Sequence, residues 1–590
     1  MKKSTFYVSA LFSILSGASA IWPLPTTYNN GSTVLWLAPD VNFEYSPANT
    51  FHFSLFDNRS WQSWIFPQSK NDGSSPDVTI VQDAIKRTRE TLFTERFVPW
   101  KFHPRNVDFE PSIDGNETFI TTISIQQTSS DSKGTPDALA GKIDESYTIH
   151  ITEGGKVTIA AAKSNGILHA LNTFTQLFFQ HSQGARVYTP FAPVQIEDRP
   201  RYPYRGLNLD VARNWFPPSA LYRTLDALAW NKFNVLHLHV TDAQSWPLEI
   251  PALPELAAKG AYRKDLTYSP AELSDIQSYA ANRGIQVILE IDLPGHTSSI
   301  RHSTPDLIVG ADLQPTWATY AAEPPSGQLK LKYGPVESFL DTLFKDLLPR
   351  LSSHSAYFHT GGDEVNKNIY KLEDTVHSVD PTTLKPLLQA FVDRVHSSVR
   401  AHGLTPIVWE EMLLDWNLTL GKDVVVQTWQ SEKAVTETVK KRHKVIFGDN
   451  AYWYLDCGHG SWLLPSTPAS APANINNSFT DYCNPYKPWQ RVYTYNPPAS
   501  DSPLVLGGEV HLWSELTDDQ NLDSKLWPRA AAAGEVLWRG GGNATAESMQ
   551  RVGQRLAVWR ERMVARGVRA SLVQMIFCTM GGGVGCGPGV

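Results

Sequence analysis

Between Ser146 and Thr152 apolar and polar residues alternate, Gly154-Gly155 interrupts the pattern, and the alternation resumes from Lys156 to Ala160. Period two on both sides of a glycine turn predicts a β-hairpin. Ile167, Leu168, Leu171, Phe174, Leu177 and Phe178 follow at helical spacing. Residues 21–198 therefore read as an α+β unit, closed by a linker around Glu197–Pro203 that two prolines stiffen. Beyond Tyr204 short apolar runs alternate with helical patterns. The runs are Arg205–Leu209, Val235–Val240, Gln286–Ile291, Ala356–His359, Pro406–Trp409, Val424–Thr428, Lys444–Phe447 and Leu504–Gly508. After the first comes Ser219, suited to a helix N-cap, then Leu221, Leu225 and Leu228 on one helical face. Eight such units predict an α/β fold: a (β/α)8 TIM barrel over residues 199–590, with a C-terminal extension, preceded by the smaller α+β domain.

In such a barrel the functional groups stand at the carboxyl ends of the strands. There the sequence places Asp210 and Arg213, then Asp242, then Asp292 and His296, then Asp363 and Glu364. The later ends give Trp409, Glu410 and Glu411; Trp429; Asp449, Trp453, Tyr454 and Asp456; and Glu509, Trp513 and Glu515. Carboxylates, an arginine and flat aromatic faces suit a neutral, hydroxyl-rich sugar. The fourth end, His359-Thr360-Gly361-Gly362-Asp363-Glu364-Val365, carries two glycines that permit a sharp turn and a close approach. Its adjacent carboxylates repel, so their surroundings must pair them or drive their pKa values apart. His237 and His239 share one face of their strand, and Glu290, Asp292 and Asp363 could complete a metal site. A barrel metal site wants further histidines at later strand ends, where tryptophans stand instead. His237 and His239 are expected to be hydrogen-bonded interior residues, with neither metal nor cofactor.

Composition adds an address. Lys2-Lys3, the apolar run Phe6–Leu15 and Ala18-Ser19-Ala20 read as a signal peptide over residues 1–20, too short to span a bilayer. Six Asn-x-Ser/Thr sequons, at Asn30, Asn58, Asn116, Asn417, Asn476 and Asn543, agree with a secreted, extracellular glycoprotein. The four cysteines allow three disulfide pairings, and the sequence-local one, Cys457 with Cys483 and Cys578 with Cys586, is preferred. A net charge of −7 with no long basic run speaks against nucleic acid or an anionic membrane as partner, and the 19 tryptophans are in keeping with sugar stacking.

The stretches Arg205–Arg213, Asn234–Asp242, Glu290–His296, His359–Val365, Trp453–Asp456 and Gly507–Glu515 together resemble the β-N-acetylhexosaminidases of glycoside hydrolase family 20, most closely the secreted fungal members. The resemblance implies substrate-assisted catalysis, in which the sugar's own 2-acetamido carbonyl is the nucleophile. It makes Glu364 the general acid and base, and makes Asp363 the partner of the acetamido N–H and of the developing oxazolinium. Tyr454 would donate to the acetamido oxygen, while Trp409, Trp429 and Trp513 would box its methyl. Arg213, Asp456 and Glu515 would bind ring hydroxyls, and His296 with Asp242 would form a relay to Glu364. Arg205 and Asp210 are read as barrel-floor structure. The expected substrate is a chitooligosaccharide or glycan with terminal β-linked N-acetylglucosamine. A homodimer and a removable propeptide are further family expectations. Ala243 departs from the pattern, since many members carry a second acidic residue there.

Three rivals stay open at this point. An inactive carbohydrate-binding barrel would not need both Asp363 and Glu364. An endo-acting chitinase-like hydrolase would carry alternating acidic residues on the fourth strand, which are missing here. A metal-dependent hydrolase would lose activity in chelator.

Overall fold

The computed structural model describes residues 21–48, 76–131, 139–463, 479–498, 502–541, 545–580 and 586. The leader and the sequons at Asn58, Asn476 and Asn543 lie outside these residues. The strands Thr27–Ser46, Phe119–Gln127, Tyr147–Ile151, Val157–Ala161, Phe179–Gln180 and Val187–Asp198 form a mixed six-stranded sheet. Its hairpin pairs Tyr147 with Ala161 and Ile151 with Val157, antiparallel. The helices Pro76–Thr94 and Ser164–Thr175 bury Val81, Ile85, Ile167, Leu171 and Phe174 in one apolar core with the sheet.

The eight expected strands close into a parallel barrel. They are β1 Tyr204–Asp210, β2 Val235–Thr241, β3 Gln286–Ile291, β4 Tyr357–His359, β5 Thr405–Trp409, β6 Val425–Thr428, β7 Lys444–Phe447 and β8 Val505–Leu512. Helices cover the outside, so alternate residues such as Leu207, Leu209, Leu236, Leu238, Val287 and Leu289 join the large outer core. The interior is layered. Its floor is apolar, built by Tyr204, Val235, Ile288, Tyr357, Ile407, Val425, Ile446 and Leu506. Above the floor the inward positions become polar and fully buried: His237, Glu290, His359, Gln427, Glu509 and His511.

Three local expectations are corrected. Ser219 is not the cap: the helix Pro218–Trp230 starts two residues earlier than that cap requires, with Pro217 in the cap position and Pro218 supplying the preset φ of the first turn. β8 runs on to Leu512, so Glu509 lies inside the barrel and not past its end. Asp210 belongs to the mouth, where its carboxylate accepts from the backbone of Ala212, Arg213 and Ser514.

Arg205 does sit at the floor, and it ties the two units together. Its guanidinium donates to both oxygens of Glu145, at 2.5 and 3.0 Å. Beside it Lys232 donates to Asp198 at 2.9 Å and to the Tyr147 hydroxyl at 2.8 Å, under the ring of Trp538. Burial acts to raise the Glu145 pKa, but Arg205 and His169 outweigh it and bring the carboxyl down to about 2. The C-terminal helices complete the junction, with Trp538, Ala557 and Val558 in the N-terminal core. Both sequence-local disulfides, Cys457–Cys483 and Cys578–Cys586, are formed.

Candidate active site

The backbone leaves β4 in an unusual conformation. Gly361 and Gly362 have φ of 66° and 107°, and Glu364 follows at φ 48°. Glycine is required at 361, because a Cβ there would stand 1.9 Å from Asp292 Oδ1. The close approach lets Gly362 N–H donate to that oxygen at 2.7 Å and brings the Asp292 and Asp363 side chains together. Burial pushes the Asp292 carboxyl up to about 7, against the pull of His296. Burial and then the facing Asp292 push Asp363 well above the carboxylate range. The two carboxyl groups thus disfavour each other's ionisation, while His296 favours the carboxylate form of each.

His296, also at positive φ (48°), stands between two acids. Its Nε2 lies 3.4 Å from Glu364 Oε2, and its Nδ1 lies 3.1 Å from Asp242 Oδ1. Burial works against the charged imidazole, but Asp242, Asp292 and Asp363 overcome it and hold its pKa well above the usual value. Asp242 is fully buried. Arg213 and His296 offset that burial and keep it ionised.

Arg213, His296, Asp363, Glu364, Trp429, Tyr454, Asp456, Trp513 and Glu515 line one cavity of about 350 Å³ at the barrel mouth. Tyr454 stacks on Trp429 with ring centroids 6.0 Å apart, and Trp513 lies 6.4 Å from Tyr454. Burial raises Asp456 to about 7. Burial also pushes Glu515 well above the usual range, against the pull of Arg213. Asp242 stands behind His296 and Arg213. Trp409 sits a layer deeper than expected: it is 1% exposed, and its indole N–H donates to Glu290 Oε1 at 2.7 Å. It backs Trp513 across 6.2 Å and does not line the open cavity.

Several contributors are absent from the sequence reading or, like Glu411, were given no individual role there. Glu323 makes a close ion pair with Arg213, and Gln244 Oε1 accepts from Arg213 Nε at 3.1 Å. Glu323 comes from the long connection after β3, which has no periodic pattern to mark it. Next to Gln244, Ala243 donates its N–H to Asp242, and Gln244 and Glu323 hold the arginine on that flank. Glu411 accepts from Trp429 Nε1 at 2.9 Å and from Gln430 at 3.0 Å, which fixes the tryptophan ring. Burial and then Asp363 raise Glu411 to about 8. The rim carries Trp462, Asp481 and Tyr482 from the loop that Cys457–Cys483 closes.

Among the described residues, Asp292, His296 and Asp363 come close enough to hold a cation together, as do His237, Glu290 and His359. Beside the second group, His239 faces a carboxylate oxygen from both ring nitrogens, an arrangement satisfied by an imidazolium.

Fold and mouth chemistry together describe a glycosidase. The family model "Glycosyl hydrolase family 20, catalytic domain" matches residues 202–541, and "beta-acetyl hexosaminidase like" matches residues 21–177. A β-hexosaminidase of Arthroderma benhamiae is 43% identical over 601 residues, covering 97% of this chain and 98% of that one. Another from Emericella nidulans is 32% identical over 544 residues, covering 85% and 89%. The chitobiase structure from Flavobacterium johnsoniae superposes with a TM-score of 0.68 at 24% identity, covering 93% of this chain and 73% of that one, a likeness of fold. The chain belongs to glycosyl hydrolase family 20, as an enzyme of the β-N-acetylhexosaminidase type.

Proposed function

We propose that the enzyme removes terminal, non-reducing β-linked N-acetylglucosamine, and N-acetylgalactosamine, from chitooligosaccharides or glycans with retention of configuration. The observation that carries the reading is the adjacency of Asp363 and Glu364 on one strand end, beside Tyr454 and the Trp429 and Trp513 faces. Two neighbouring carboxylates cannot flank a sugar ring from both sides, as an acid and an enzyme nucleophile must. The substrate's 2-acetamido oxygen attacks C1 while the C1–O bond to the leaving group breaks and Glu364 delivers its proton to that oxygen. Asp363 accepts from the acetamido N–H and balances the positive oxazolinium. Water then attacks C1, Glu364 takes its proton, and the acetamido group is restored. Two inversions at C1 leave the β-anomer.

A mouth closed below by buried rings and polar groups supports terminal rather than internal cleavage. Arg213, Asp456 and Glu515 serve the ring hydroxyls in this reading. Secretion belongs to the same proposal: Asn30, Asn116 and Asn417 are exposed and both disulfides suit an oxidising compartment. No helix among the described residues is long and apolar enough to cross a membrane.

The test compares kcat/KM on 4-nitrophenyl N-acetyl-β-glucosaminide, the galacto analogue and the plain β-glucoside. Only the acetamido sugars are expected to turn over, and Glu364→Gln and Asp363→Asn are each expected to remove most of that turnover. Comparable hydrolysis of the plain glucoside would overturn the mechanism.

A further inference from the structure

The barrel interior below the mouth is a ladder of alternating acids and histidines. Glu509 Oε1 lies 2.8 Å from His237 Nδ1, and His237 Nε2 lies 3.1 Å from Glu290 Oε2. Glu290 Oε2 lies 2.7 Å from His239 Nδ1, and His239 Nε2 lies 2.6 Å from Asp242 Oδ2. Asp242 then meets His296, and His296 meets Glu364. Each of these groups below Glu364 is at least nine-tenths withdrawn from solvent, and three strands or their ends, β2, β3 and β8, supply them. An imidazole whose two nitrogens both hydrogen-bond to carboxylate oxygens donates from both, so His239 is a cation by geometry, with His237 bonded to Glu509 below it. Their acids are held by further donors: Trp409 on Glu290, and Gln427 and Tyr204 on Glu509, each at 2.7 Å.

We propose that His239 and Glu290 are positioning residues for catalysis: as one fixed ion pair of this ladder they hold Asp242 ionised and oriented toward His296, and so set the field at the Glu364 end. This rests on the substrate-assisted reading above, with Glu364 as acid and base. The other charged and titratable groups around the upper end are Arg213 and Asp210 from β1, Asp292 from β3, Asp363 from β4, and Glu323 and Glu515, which with Asp210 face Arg213. Around the lower end stand His359 and His511. Only the ladder continues the Asp242–His296 line downward, and burial leaves its charges poorly screened.

The proposal makes a signed prediction. His239→Gln removes a buried cation, so the groups above it hold their protons more tightly and the profile of kcat/KM against pH moves to higher pH. Glu290→Gln removes a buried anion and moves the profile to lower pH. Each displacement is on the order of one pH unit, the effect of a unit charge a few ångström beyond Asp242 at an effective dielectric near 20. The double substitution is expected to return the profile toward that of the unmodified enzyme. The probe is 4-nitrophenyl N-acetyl-β-glucosaminide with the full-length enzyme, and thermal unfolding checks each variant. Should Glu290→Gln fail to fold, Glu509→Gln, one pair lower, is expected to displace the profile the same way by less.

Opposite displacements support the proposal. Displacements in one direction, or profiles that stay in place while kcat falls, overturn it and leave the histidines as packing. Failure of the underlying mechanism reads out differently, as full turnover by Glu364→Gln or cleavage of the plain glucoside.

Discussion

Replacing Gly361 by alanine tests how tightly the β4 turn governs the chemistry. The new Cβ would stand 1.9 Å from Asp292 Oδ1, 2.3 Å from its Cγ and 2.4 Å from its Cα. Rotating the aspartate side chain relieves the first two contacts but not the third, since Cα moves only with β3. Carbon atoms rest about 3.5 Å apart, so the strand ends must separate by roughly 1 Å. The φ of 66° adds about 1–2 kcal/mol for a residue that bears a Cβ. Misplacing a reacting group by about 1 Å costs roughly a hundredfold in rate. The expected result is a kcat about a hundredfold lower on the chromogenic N-acetylglucosaminide, with a reduced unfolding midpoint. Gly403→Ala is the matched control: its φ is 78°, yet a Cβ there meets nothing within 4 Å. It is expected to lower stability by about 1 kcal/mol and leave kcat alone. If Gly361→Ala retained kcat within about threefold of the parent, the turn would not be positioning Asp363 and Glu364, and the reasoning fails.

Three further outcomes follow from the structure. Asp292→Asn removes the neighbouring carboxylate that raises Asp363, so the acid side of the kcat/KM profile is expected to move to lower pH; a move to higher pH refutes that repulsion. The Glu145 carboxyl is depressed from 4.5 to about 2, so its contribution is fully present above pH 4.5 and lost as pH falls toward 2. It is on the order of 3 kcal/mol, and Glu145→Gln should flatten that part of the stability curve measured by chemical denaturation against pH. Replacing Cys457 and Cys483 together by serine opens a loop whose ends are 26 residues apart, with a loss of about 3–4 kcal/mol in the loop-entropy picture. Because that loop carries Tyr482 and Asp481 to the rim, KM is expected to rise more than kcat falls; unchanged KM in a folded variant counts against a role for the rim in binding.

The eight strands could be read because helices cover the barrel and its floor is apolar, which produces short continuous runs of valine, leucine and isoleucine. The reading weakened where inward positions turn polar. β8 was cut short at Gly508 because Glu509 and His511 look like loop residues until their partners on β1, β2 and β6 are known. In the N-terminal unit, Thr27–Ser46 went unread because register shifts near Asn30 and Leu37 break its alternation. Motif-borne groups such as Asp363, His296 and Tyr454 were visible as residue types at strand ends. Trp409 was visible too, but nothing in the sequence says that its ring turns down toward Glu290. Glu323 was beyond reach for another reason: its pairing with Arg213 spans 110 residues and has no local signature. Glu411 was visible at a strand end, but not its hold on the Trp429 ring.

The seal between the two units at Arg205 bears on how this protein can be divided. Cutting the chain at the linker would leave a barrel whose floor buries a guanidinium and an ammonium, Arg205 and Lys232, stripped of Glu145 and Asp198. An unpaired buried charge costs about 3–5 kcal/mol, a large share of what holds a domain together. The catalytic half is therefore not a portable module. Truncation, domain grafting and inheritance by fusion all have to carry the small sheet along with the barrel it closes.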